Sequence, residues 1–184
     1  MKRASGFTMV ELIFVVVIVG ILTAIAVPSF KYVTASNRVA QEINALLGDL
    51  QYARAEAVKE GFWVTVCASS NGTSCSGSSS WKTGWIIFTD ANNNQAVNAG
   101  ELILRVSSGN SGTDTLSADN SMTAVTFNRE GFASLYAGTA TALATTVTLK
   151  LNTVPTNAQW ERCLALTAVG GTTTTQKNGT GNCT

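Results

Sequence analysis

A chain of 184 residues accommodates one globular domain of ordinary size plus an N-terminal segment, and excludes two large domains. Apolar residues make up 45% and charged ones only 12%; the 12 basic side chains barely exceed the 11 acidic ones, giving a formal charge of +1 and no electrostatic case for general nucleic-acid binding. Histidine is absent, which removes at once the commonest general base, the usual triad partner and the usual zinc ligand.

Residues 1–6 are short, basic and poor in apolar side chains, and an uncharged apolar run follows from Leu12 to Val27. At a rise of about 1.5 Å per residue, a helix from Phe7 to Val27 spans roughly 30 Å, enough to cross a bilayer core. Lys2 and Arg3 then hold the N-terminus on the cytoplasmic side. A secretory signal peptide is the ordinary alternative, because Ala24-Ile25-Ala26 has the small-x-small form of a cleavage site. Glu11 argues against it: an ionisable side chain at the head of an apolar segment is costly and calls for a specific partner. The same alanines also suit a face packed against neighbouring helices.

Gly6-Phe7-Thr8-Met9-Val10-Glu11-Leu12 resembles the type III leader of type IV prepilins, in which glutamate stands four residues after the phenylalanine. The resemblance implies that a prepilin peptidase cuts after Gly6 and methylates Phe7. It also implies that Glu11 pairs with the N-terminal amine of a neighbouring subunit, and that Pro28 is a helix-kinking proline. The pairing is physically sound, since a carboxylate isolated in a low dielectric is compensated by an ammonium group. Loss of Lys2 and Arg3 with the leader leaves ten basic and eleven acidic side chains.

After Pro28 the pattern becomes periodic: Val39, Ile43, Leu46, Leu50, Ala53 and Ala57 form one face of an amphipathic helix, and Gly61 supplies its stop. Glu42, Asp49, Arg54, Glu56 and Lys59 read as its solvated face. Gln51-Tyr52-Ala53-Arg54-Ala55-Glu56-Ala57-Val58 resembles the corresponding stretch of the GspH/FimT/FimU branch of minor pilins and pseudopilins.

From Phe62 onward, β-branched and aromatic runs alternate with Gly, Ser, Asn and Thr, which predicts strands at 62–66, 85–89, 102–106, 124–127, 146–151 and 163–166. A helix followed by six or so strands gives an α+β domain with antiparallel sheet on the helix, and Trp85, Phe88 and Phe127 are expected in its core. The resemblance continues through residues 84–90, 127–131 and 162–166 and implies the type IV pilin fold. Its parts are a cleaved leader (1–6), a transmembrane and assembly half-helix (7–28), an amphipathic half-helix (29–60) and a β-rich head (61–184).

Four cysteines in a chain destined for the outside of a membrane favour two disulfides. Of three connectivities, Cys67 with Cys75 and Cys163 with Cys183 is preferred, because each pair brackets a loop-like stretch. No CxxC spacing supports zinc.

Residues 90–101 place oxygen ligands at positions 1, 3, 5 and 12 of a calcium-loop template, but Gln95 stands where such a loop wants glycine and only Asp90 and Glu101 are carboxylates. A solvated turn is the preferred reading, and no metal is assigned. Residues 69–80 and 172–181 read as polar surface loops.

Some FimT-like relatives are DNA receptors with an arginine-rich C-terminal element. Here only Lys177 follows Arg162, which argues against DNA as a partner. The sequence therefore implies a structural subunit rather than an enzyme, with no cofactor. Its expected partners are other pilin subunits, major and minor, the prepilin peptidase and the inner membrane, with the head periplasmic before filament entry. The expected machine is a type IV pilus, at its tip or initiation complex; a type II secretion pseudopilus and a DNA-uptake or adhesion tip subunit are the alternatives.

Overall fold

The computed structural model describes residues 7–109, 112–135, 147–153 and 159–176. The chain forms two compact units, residues up to Arg38 and from Val39 onward, and helix α1 (Met9–Glu60) contributes to both.

In the second unit the six apolar positions from Val39 to Ala57 are all buried, as their spacing predicts. The helix ends where Gly61 adopts φ +75° and donates its N–H to the carbonyl of Ala57, a left-handed cap that costs a glycine nothing.

Among the described residues nine strands follow: β1 (Val64–Ala68), β2 (Gly84–Thr89), β3 (Ile103–Ser108), β4 (Thr115–Ala118), β5 (Ala124–Phe127), β6 (Ala133–Ser134), β7 (Val147–Asn152), β8 (Arg162–Leu166) and β9 (Thr172–Gln176). They build two antiparallel sheets, one in the order β3-β2-β1-β5-β6 and the other β4-β7-β8-β9.

One core holds both sheets to the helix. Leu46 and Leu50 share it with Val64, Val66 and Phe127 of the first sheet and with Leu149, Leu151, Leu164 and Leu166 of the second. Each fully buried leucine contributes about 1.5–3 kcal/mol relative to an exposed one, so this face supplies the main attachment of the helix. Trp85, Phe88 and Phe127 are buried as expected. Phe88 belongs to a smaller cluster on the opposite face of the first sheet, with Cys67, Ile86 and Ala124, against which Cys75 and Val97 pack.

Three expectations change. Residues 172–176 form β9 instead of a loop, because threonine is β-branched and an edge strand pairs through its backbone without apolar anchors. Asp49 is buried, not solvated, and Arg54 is half-buried. Strands β4 and β6 lie where no apolar run announces them.

Candidate functional site

The first unit begins with a reciprocal cap. Thr8 precedes α1, and its hydroxyl accepts the N–H of Glu11 at 3.3 Å while the Glu11 carboxylate accepts the N–H of Thr8 at 3.4 Å. This is a capping box: two otherwise orphaned donors are satisfied, and the carboxylate sits at the positive end of the helix dipole. Glu11 is thereby held three residues inside the helix start and four from Phe7, whose side chain is 82% exposed.

No charged residue occurs between Glu11 and Lys31. Along that length the large apolar side chains from Leu12 to Phe30 are each at least half exposed in the isolated chain. An apolar surface of this extent is not stable against water and requires lipid or other helices around it. Thr23 within it donates its hydroxyl to the carbonyls of Val19 and Gly20, and Thr34, one turn beyond Phe30, donates to that of Phe30. Such back-bonding hides hydroxyls from an apolar surrounding. Pro28 lies inside α1 and has no N–H to offer the preceding turn. Gly6 lies outside the described residues.

In the second unit three polar clusters hold the head. Asp49, only 5% exposed, accepts Trp85 Nε1–H at 2.7 Å on one oxygen and the Arg105 guanidinium at 2.6 Å on the other. The hydrogen bond to Asp49 raises the Arg105 pKa further. Arg105 also stacks over Tyr52, 4.4 Å from the ring centroid, so one helix carboxylate ties α1 to β2 and β3. The second cluster is Arg54, which donates to the carbonyls of Gly131 and Val169 and so clamps a turn of each sheet to the helix. The signal for both was present in the sequence: Asp49 lies three residues after Leu46 and Arg54 directly follows Ala53, so each flanks the buried stripe.

The third cluster is centred on Asp90, which is fully buried. Its oxygens accept the Thr65 hydroxyl and the N–H groups of Asn94 and Gln95. Glu101 accepts the N–H groups of Ala91 and Asn98, and the Asn94 side-chain oxygen accepts that of Ala96. The ligand atoms of the calcium template are therefore turned onto the loop's own backbone. Gln95 takes φ +59° at the template's glycine position. Among the described residues no group of three or more His, Cys, Asp or Glu could hold a metal.

Cys67 and Cys75 form a disulfide across the loop that follows β1, the preferred pairing for these two. Cys163 is also disulfide-bonded, and Cys183 lies outside the described residues. On the turn after β5, the hydrogen bond from Arg129 lowers the Glu130 pKa, and in the last turn of α1 the hydrogen bonds that Lys59 donates to Glu60 and then to Glu56 raise its own.

Comparison with known proteins adds to this geometry. The profile of the family described as type II transport protein GspH matches residues 42–170, and that of the prokaryotic N-terminal methylation motif matches residues 1–27. A fimbrial protein of Pseudomonas aeruginosa is 41% identical over 61 residues, 33% of this chain and 39% of that protein. The chain thus spans about two fifths of the length of the fimbrial proteins it matches. The type IV narrow pilus major component PilA5 of Thermus thermophilus is 40% identical over 80 residues, 41% of this chain and 68% of that protein. The crystal structure of the type IV minor pilin FimU of Pseudomonas aeruginosa superposes with a TM-score of 0.52 at 21% identity, over 76% of this chain and 91% of that one, a likeness of fold.

Proposed function

The chain belongs to the type II transport protein GspH family and, through its methylation motif, to the type IV pilin and pseudopilin proteins, and from that membership we propose that it is a minor pilin. In this reading a prepilin peptidase cuts between Gly6 and Phe7 and methylates Phe7. The subunit waits in the inner membrane with its head in the periplasm, then enters a type IV pilus at its tip or initiation complex, among major and minor pilins.

The observation that carries this reading is the uncharged, exposed apolar length of α1 headed by a single capped carboxylate. Lipid satisfies the apolar length before assembly and neighbouring helices satisfy it afterwards. In either surrounding Glu11 is costly unless compensated, and the amine at a neighbour's Phe7 offsets its charge. Pro28 supplies the kink that adjusts the helix path between neighbours.

A second reading, a minor pseudopilin of a type II secretion system, is favoured by the description of the matching family. Deletion in the host separates the two: loss of pili and twitching supports the pilus, loss of protein secretion the pseudopilus. For the assembly role itself, Glu11→Ala is expected to leave cleavage intact and to remove the chain from sheared filaments. Incorporation at the wild-type level would overturn that role.

A further inference from the structure

We infer that the free edge of β3 is a docking strand, which receives an extended, uncharged, apolar segment of another pilin subunit by main-chain pairing. The inference rests on the filament-subunit reading above. It names where the head makes a contact and by what chemistry.

The sheet edges of the head are not alike. Strand β6 has two residues, too few to template a partner. The β4 edge is covered by residues 79–81, since Trp81 donates its N–H to Leu116 and Ala118 donates its own to Ser79. Strand β9 offers four threonines and a glutamine. Strand β3 is the outermost strand of the five-stranded sheet, six residues long, about 20 Å, with neither proline nor lysine to blunt it. Leu102, immediately before it, is 66% exposed and Val106 within it is 55% exposed.

The register fixes which groups face outward. Gly84 accepts a hydrogen bond from Ser69, on the β1 side, so by alternation Ile86 also directs its peptide groups toward β1. Its partner Val106 therefore turns N–H and C=O away from the sheet. At the other end, Leu102 has both peptide groups engaged by Thr89, which turns those of Ile103 outward. The register shift at Ile87/Phe88 places Ile103 and Val106 opposite Phe88 and Ile86, on one face, and leaves residues 105–108 in regular pairing.

Charge and rigidity define the occupant. Arg105 is paired with Asp49, and the Glu101 carboxylate is turned onto the N–H groups of Ala91 and Asn98, so both charges are engaged within the head and the edge offers apolar side chains and outward peptide groups. An uncharged strand with apolar side chains at alternate positions is the complement. The Arg105–Asp49 pair also holds β3 to α1, so the template is ordered before a partner arrives.

The test places the photoreactive residue p-benzoylphenylalanine at Leu102 of the full chain, irradiates assembled filaments and sequences the adducts. The expected result is an adduct with a different pilin subunit, lost in both Val106→Lys and Val106→Pro but kept in Val106→Thr, which retains the edge N–H. Because proline at 106 removes an outward donor and no ladder bond, the fold should survive; formation of the Cys67–Cys75 disulfide in each variant checks this. The same probe at Thr174 on β9 should give no such adduct. Absence of an adduct at Leu102 while the chain is present in filaments overturns the docking strand alone. An adduct that survives both edge variants, appears equally at Thr174, or contains a second copy of this chain also overturns it. Absence of the wild-type chain from filaments overturns the filament-subunit reading as well.

Discussion

The guanidinium of Arg54 donates from Nε to the carbonyl of Gly131, 77 residues away, at 2.9 Å, while its second nitrogen reaches Val169 on the other sheet at 2.8 Å. Both turns carry glycines with positive φ, Gly131 at +81° and Gly170 at +74°. A methyl group on Gly170 would meet the Gly131 carbonyl and lie 2.7 Å from Arg54 Nε. Arg54→Ala should lower stability by about 1–3 kcal/mol, since two carbonyls lose a charged donor. Gly170→Ala should cost more, because it adds strain and displaces the same clamp. Thermal unfolding of the two variants reads the order directly; a smaller effect at Gly170 would contradict the clamp.

At Asp49 the predicted loss depends on which partner is left behind. Arg105 is half exposed and regains solvent, whereas Trp85 is buried with its N–H directed at the carboxylate. Asp49→Ala should therefore cost about 2–3 kcal/mol, mostly through the orphaned indole, and Asp49→Asn distinctly less, because an amide oxygen still accepts. Arg105→Ala should be the mildest at the surface pair itself but should also loosen β3. Denaturant midpoints measured for the three variants test this ranking.

The loop at residues 90–101 should ignore calcium. Its oxygens already accept hydrogen bonds from its own backbone, so a cation would have to break them to bind. Unfolding temperature should be the same in calcium and in chelator, while Asp90→Ala should destabilise the head by removing three hydrogen bonds from a buried site. A calcium-dependent rise in unfolding temperature would contradict this account of the loop.

The Cys67–Cys75 disulfide closes a short loop over the small apolar cluster behind the first sheet. Chain-entropy arguments give about 2.5 kcal/mol for a ring of this size. Cys75→Ser should show a loss of that order in chemical denaturation and increased proteolysis within residues 69–80. An unchanged midpoint would mean that the loop is held by its hydrogen bonds alone.

The sequence and the structure agree best where burial has a period. Val39, Ile43, Leu46, Leu50, Ala53 and Ala57 are buried as read, because apolar side chains at helical spacing report which face is dry, and Ala124–Phe127, buried on both faces, forms a strand at the expected residues. Other strand ends differ by a residue or two, as at Val64–Ala68. Backbone-led features left no such signal: β9 is an edge of threonines, and β6 is two residues long. Charges on the helix misled for a different reason. Asp49 and Arg54 look like surface residues until long-range partners 56 and 77 residues away are in place. The capping box is legible as Thr8 three residues before Glu11, a local pairing distinct from the role that the leader motif implies for the carboxylate. Gly6 and Cys183 lie outside the described residues.

The central claim is that α1 becomes an assembly helix by a cut at Gly6–Phe7, and the intact mass of the mature chain tests it most directly. The expected chain begins at Phe7 and carries one methyl group on its amine, with Glu11 retained. A chain beginning at Val27, cut as a secretory signal after Ala26, would remove Glu11 together with the apolar helix and contradict it.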